Sequence, residues 1–335
     1  MPPEQSTLPA PAMAAGSVPA DWRAPLVALV VVSFALMLAT VSSWGEMFHQ
    51  WWAIDTYNHL LLVPFIMGWL VWLKAGELTR IAPKPFWPGL VLVVAALCLW
   101  LAGRASGINL LAHAGAVVAL QAAVLSVLGL RAALLLALPL AMGAFLVPFG
   151  DEIIPPLQFV TAEIAVTLVR WSGVPAQIEG LHIDTPAGLF IVAEACSGVK
   201  FLVAMATLGV LVAFTRFASW RRRALFMAAC VIVPILANGV RAFATIYVAQ
   251  SIGAEAATGF DHIIYGWVFF AIVLALVLAG AWRWFEREPE QHGWDAASLA
   301  KWDWLSRAET HALAPASAVL ATCSLAAIAA LAAML

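Results

Sequence analysis

The sequence predicts an all-α polytopic membrane protein with about nine transmembrane helices and a small surface β-hairpin, and three observations carry that prediction. Apolar residues fill 64% of the 335 positions and charged residues only 11%. With a mean hydropathy of +0.94, no soluble core of this size accounts for the balance. Runs of roughly 18 to 25 apolar residues recur, each long enough to cross about 30 Å of hydrocarbon as a helix. Lysine and arginine are spread unevenly over the connecting segments, as in the sided loops of membrane proteins.

The elements follow in order. Residues 1–24 are rich in Pro, Ala and Ser and form a disordered tail. Apolar runs occupy 25–43, 58–74, 88–104, 108–128, 132–148, 197–215, 224–249, 263–282 and 312–334. The first lacks a small-x-small cleavage site and is read as an uncleaved helix. With the N-terminus inside, the inner segments hold Arg23, Lys74, Arg80, Lys84, Arg131, Arg216, Arg221, Arg222, Arg223, Arg283, Arg287, Lys301 and Arg307. The outer loops hold only Arg104 and Arg170, while Lys200 and Arg241 lie within runs. Thirteen cations against two place the N-terminus inside and the C-terminus outside.

The longest outer segment is 149–196. In it Pro155 and Pro156 open an apolar helical stretch that reaches Trp171, interrupted by Gln158, Glu163 and Arg170. Interfacial, re-entrant and spanning placements all fit it. Residues 177–194 alternate like a strand pair around Asp184-Thr185-Pro186-Ala187-Gly188, a hairpin that delivers the chain to Cys196. Residues 283–311 are polar and carry or adjoin Trp282, Trp284, Trp294, Trp302 and Trp304, the composition of an amphipathic linker on the inner surface. The chain therefore divides into the tail 1–24, a membrane domain 25–282, the linker 283–311 and a last helix at 312–335.

A net charge of −2 offers no basic footprint for nucleic acid. The four cysteines form no CxxC and no cluster with histidine, which argues against a disulfide framework, a zinc site or a thioredoxin-like motif. Neither a metal nor a cofactor is expected. Cys98, Cys230 and Cys323 fall inside apolar runs, where a thiol is a small packing residue. Only Cys196 stands at a boundary.

Cys196 lies where an alternating strand runs into a helix, in Glu194-Ala195-Cys196-Ser197-Gly198-Val199-Lys200. A helix N-terminus and Lys200, one turn on, both favour the thiolate; the alternative is a small residue at a tight turn. Arg241 sits within an apolar run, about eight residues or roughly 12 Å from its outer end. A guanidinium at depth costs about 2.5 to 3.5 kcal/mol even on the permissive scale. Asn238, Arg241 and Thr245 share one helix face, a polar stripe toward a bundle interior or an aqueous cavity, with snorkelling to the headgroups as the alternative. Asp261 is placed to cap the following helix, and His262 and Tyr265 point the same way, although a single interfacial histidine is commonly without function. The topology brings all three signals to one membrane face. A thiol nucleophile, an imidazole for proton transfer and a guanidinium for an oxyanion suffice for acyl transfer.

The segments Ala193-Glu194-Ala195-Cys196-Ser197-Gly198, then Ala237-Asn238-Gly239-Val240-Arg241, then Asp261-His262 with Tyr265-Gly266-Trp267 resemble in order the three signatures of the exosortase/archaeosortase family. The hairpin and Tyr57-Asn58-His59-Leu60 also fit its pattern, so that the resemblance covers roughly 25–282 as a catalytic membrane domain. It implies a bacterial inner-membrane cysteine transpeptidase acting on exported proteins with a C-terminal PEP-CTERM signal: a short Pro-Glu-Pro-type motif, a transmembrane helix and a basic tail. By analogy with sortases it implies Cys196 as nucleophile, His262 as acid/base and Arg241 as stabiliser of the transition state, with Asn238, Lys200 and Asp261 in support. Membrane lipids surround such an enzyme, a cell-envelope acceptor would receive the acyl group, and exopolysaccharide production is its usual context. The competing class is a transporter or exopolysaccharide-handling protein. Such a protein would place ionisable groups near the midplane of repeated halves, whereas here they gather toward one face.

Overall fold

The computed structural model describes residues 19–253, 266–309 and 314–333. Its major helices are α1 (Ala20–Ala39), α2 (Val41–Ala53), α3 (Val63–Leu73), α4 (Pro88–Ser106), α5 (Asn109–Leu128), α6 (Leu130–Leu135), α7 (Ala137–Met142), α8 (Ile154–Trp171), α9 (Val199–Arg216), α10 (Trp220–Ile252), α11 (Gly266–Trp282) and α12 (Pro315–Ala332). Six described helices are long and apolar enough to cross a membrane, or seven if the pair Val41–Ala53 and Asn58–Leu73, bent by 112°, is one broken span. Shorter apolar helices lie at Ala137–Leu146, Val268–Trp282 and Ala316–Ala332. The architecture is all-α and polytopic, and among the described residues each of the nine apolar runs contains helix.

The structure departs from the sequence pattern in two places. The run at 132–148 breaks into α6, α7 and a 3-10 turn at Gly143–Leu146. The stretch after α1, mostly between the first two apolar runs, is helix α2. Its Trp51 indole donates to Leu146 O at 3.0 Å, and the Tyr57 hydroxyl just beyond donates to Asp151 Oδ1 at 2.6 Å. These bonds fix the turn before α3 against the chain that leads into α8.

One apolar cluster joins α1, α2, α4, α5 and α12, with Trp100, Leu36, Ala116 and Ala326 at its centre. Small residues bring α4 and α5 together: a Cβ at Gly115 would stand 2.5 Å from Trp100 N. Close backbone approach of this kind supplies the packing that hydrophobicity cannot supply between helices in lipid. A second cluster, around Met205, Phe217 and Phe226, joins α9, α10 and α11.

The cations of the predicted inner segments gather at one end. Arg131 Nε meets Glu309 Oε1 at 2.9 Å and Lys84 Nζ meets Glu309 Oε2 at 3.5 Å. Arg216 pairs with Glu288 at 2.9 Å and Arg222 with Glu286 at 2.7 Å. The linker supplies these carboxylates, so it is a collar across the cationic end. Lys74 Nζ donates to Trp294 O at 3.0 Å, and burial pushes its pKa down. His292 is fully buried, its Nδ1 2.7 Å from Pro289 O. Burial is the main cause holding its pKa below the usual value, with Lys74 adding to the effect.

Helix α10 is the vertical ruler of the fold. At 1.5 Å per residue its 33 residues extend about 50 Å, well beyond about 30 Å of hydrocarbon. Helix α9, 18 residues or about 27 Å, fits that thickness from Arg216 to Val199. Helix α8 begins level with the far end of α9: Leu157, Ile154, Val199, Val203 and Ile235 pack together. It then runs beside the distal part of α10. Ile164 fills the space at Gly239, and Ala165, Val166 and Val169 pack with Ile246 and Ala249. By length and hydropathy α8 passes as a span, and it packs in parallel against the distal half of α10.

On α8 rests a three-stranded antiparallel sheet of β1 (Gln177–Glu179), β2 (His182–Thr185) and β3 (Gly188–Ile191), in the order β1-β2-β3. The anticipated hairpin is β2 and β3, closing with Thr185 opposite Gly188 around Pro186-Ala187. Strand β1 is the addition, pairing Ile178 with Ile183. Period-two alternation turns Ile183 and Phe190 onto α8, which fixes the register.

Candidate active site

The sheet hands the chain to Cys196 through a short, tightly bonded segment. Val192 N donates to Leu181 O at 3.0 Å, and Val192 O accepts from Gln158 Nε2 of α8 at 2.7 Å. A 3-10 turn spans Glu194–Cys196, with Cys196 N donating to Ala193 O at 2.9 Å. Gly198 caps α9 with φ +83°, a left-handed conformation that side chains rarely adopt. A Cβ there would also stand 2.7 Å from Asn238 Cγ. Backbone and packing both require glycine.

Cys196 therefore stands three residues before the first residue of α9, Val199, at the boundary where the sequence placed it. Its thiol is half-buried and packs against the cluster of Phe190, Val192 and Ala162. The first turn of α9 begins at Val199, so the helix dipole, which acts mainly within its terminal turn, reaches the sulfur attenuated.

Asn238 is 3% exposed, and its Nδ2 donates to Cys196 O at 2.8 Å and to Thr161 Oγ1 at 3.0 Å. One amide thus ties α10 to the cysteine turn and to α8. Thr161 and Gln158, the α8 side of this clamp, were not among the sequence candidates. Gln158 had appeared only as an interruption of an apolar stretch, and Thr161 is inconspicuous in sequence because its partner lies 77 residues away.

Arg241 follows Asn238 by one turn, about 4.5 Å farther along α10. Its guanidinium carbon would lie 3.9 Å from a Cβ built on Gly266, the first residue of α11, with Phe201 Cζ at 3.8 Å. The guanidinium thus reaches from α10 to the start of the next helix. Thr245 Oγ1 donates to Arg241 O at 3.2 Å, so this member of the polar stripe satisfies its own helix. Helix α10 continues past the expected end near 249 to Ile252, and α8 and the sheet pack against one side of its distal part.

Lys200 is the second residue of α9, and its ammonium lies 5.4 Å from the Phe201 ring centroid. Asp261, His262 and Tyr265 lie outside the described residues. Tyr57, which joins this end of the bundle through Asp151, has its phenol pKa raised by burial and then by that hydrogen bond, so it stays a donor. Among the described residues no group of three or more His, Cys, Asp or Glu side chains is arranged to hold a metal.

Cys196, Asn238 and Arg241 thus share the end of the bundle opposite the cationic collar, about 27 Å from it by the length of α9. The half-buried Cys196 has its backbone carbonyl held by Asn238, and the same helix presents Arg241 one turn later. A family model described as transmembrane exosortase matches residues 51–279. No curated protein and no solved structure gave a match.

Proposed function

The chain belongs to the transmembrane exosortase family, and from that premise we propose that it is a cysteine transpeptidase of the bacterial inner membrane that cleaves C-terminal PEP-CTERM sorting signals. The observation that carries this reading is the clamp: the helix that holds the Cys196 carbonyl through Asn238 at 2.8 Å presents Arg241 one turn later. The positive-inside rule, applied to the cationic collar, sets this end toward the periplasm.

In the proposed reaction the Cys196 thiolate attacks the scissile carbonyl, and Arg241 donates hydrogen bonds to the oxyanion as the carbonyl π pair moves onto oxygen. Collapse breaks the C–N bond and leaves a thioester on Cys196. His262 gives its proton to the departing amine, which stays with the signal's transmembrane helix. It then takes a proton from the acceptor nucleophile, whose attack on the thioester expels the Cys196 thiolate and restores the thiolate–imidazolium pair. His262 stands four positions before Gly266, a tether of at most about 14 Å, and Gly266 adjoins the Arg241 guanidinium. Asp261 supports His262, while Asn238 and Lys200 support the cysteine.

The acceptor is a nucleophile of the cell envelope. The test is co-expression with a tagged PEP-CTERM protein. Cys196→Ala should insert normally and leave the substrate uncleaved, while Cys98→Ala, Cys230→Ala and Cys323→Ala should process it. Unimpaired cleavage by Cys196→Ala ends the assignment.

A further inference from the structure

At the cationic end α10 and α11 diverge and leave a groove of about 840 Å³, open to the side of the bundle. Leu225, Ala229 and Val233 of α10 face Leu276 and Gly280 of α11 across it, and Arg222 and Arg283 stand at its mouth. Trp284 lines the same mouth, 48% exposed, and Trp282 beside it is 69% exposed. Exposed tryptophans in a membrane protein mark headgroup level. The groove is therefore apolar over its depth in the membrane and cationic where phosphates lie.

The two arginines are presented differently. Arg222 meets Glu286 Oε1 at 2.7 Å, and its side chain is 47% exposed. Glu286 also accepts from the backbone N–H of Ala218 and Ser219, at 2.7 and 3.0 Å, so this carboxylate is engaged with the α9–α10 turn. Arg283 lies 4.4 Å from the Trp284 ring centroid, where stacking orients a planar guanidinium without occupying its N–H groups. Arg223 turns away, its Nε donating to Phe217 O at 2.9 Å.

We propose that this groove binds an anionic phospholipid, with its acyl chains between α10 and α11 and its phosphate between Arg222 and Arg283. Basic pockets between transmembrane helices at the cytoplasmic side suit this headgroup chemistry. The transmembrane helix of a sorting signal is the other candidate occupant. Its basic tail would meet two arginines at the mouth, so charge favours the lipid. The proposal is independent of the catalytic residues.

The test uses the full chain in nanodiscs containing phosphatidylglycerol and phosphatidylethanolamine of matched acyl chains, with lipid retention read by native mass spectrometry. Preferential retention of phosphatidylglycerol is expected. Each basic group near an anionic lipid is worth about a fivefold change in affinity, so Arg283→Gln should lower retention about fivefold and Arg222→Gln with Arg283→Gln about thirtyfold. Arg80→Gln, at the same end but outside the groove, should change nothing and so separates a site from diffuse attraction. Gly280 lines the groove and has no atom within 4 Å of an added Cβ, so Gly280→Phe should obstruct the groove and displace the lipid while both charges remain. Equal retention of the two lipids, retention unaffected by Gly280→Phe, or cross-linking of a sorting-signal helix to Ala229 in place of lipid would overturn the proposal.

Discussion

Asn238→Asp is the perturbation that most closely probes the clamp. The change conserves shape but replaces the amide donor with an acceptor, so both bonds from Nδ2, to Cys196 O at 2.8 Å and Thr161 Oγ1 at 3.0 Å, lose their proton. A carboxylate oxygen would then face the Cys196 carbonyl oxygen at hydrogen-bond distance. Leaving one buried polar group without its partner costs about 1 to 3 kcal/mol. The positioned cysteine turn should therefore lose about tenfold to a hundredfold in population relative to looser conformers. Labelling of Cys196 by a membrane-impermeant maleimide should accelerate while processing of a PEP-CTERM substrate slows by a similar factor. Thr161→Val, which removes only the second acceptor, should have the smaller effect. Labelling and processing both within twofold of wild type for Asn238→Asp would refute the clamp as the device that positions the thiol.

Arg241→Lys keeps the charge but loses the planar fork; removal of one oxyanion donor costs about 10² to 10³ in rate, so substrate should still co-purify while turnover falls by that order. Gly198→Ala combines φ +83° with a Cβ 2.7 Å from Asn238 Cγ. The backbone alone costs about 1 to 2 kcal/mol, and a lower thermal midpoint with slower processing should follow. His292 is held neutral by burial, so its folded pKa lies below the unfolded value of about 6.5. Its contribution to stability is present above that pH and is lost as the pH falls toward the folded value. Hydrogen exchange across 283–309 should accelerate below about pH 6.5 in wild type but not in His292→Gln.

What was legible in the sequence is what composition and period control. Nine apolar runs were long enough to read, and the loop cations that decided their alternation gather in the structure around the collar through Glu286, Glu288 and Glu309. The turn at Pro186-Ala187 was legible because strand alternation frames it. Helix α8 was not assignable because its place depends on Ile164 meeting Gly239 and Thr161 meeting Asn238, contacts that no local pattern encodes. Helix α10 runs three residues past the apolar run at 224–249, to Ile252, because Gln250 and Ser251 continue the helix without continuing its hydropathy. Strand β1, only Gln177–Glu179, is too short for period-two alternation to register. Cys196 and Arg241 stood out as a boundary thiol and a charge within an apolar run. Gln158 did not, because its function is a hydrogen bond to the backbone of Val192.

The central claim is that Cys196 carries the substrate as a thioester, and intact-protein and peptide mass spectrometry of enzyme incubated with a PEP-CTERM substrate tests it most directly. A hydroxylamine-labile adduct on the Cys196 peptide, with the mass of the substrate polypeptide up to its scissile carbonyl and absent from Cys196→Ala, is the expected result. Turnover with no adduct on Cys196 under conditions that lack an acceptor, or an adduct on another residue, would contradict it.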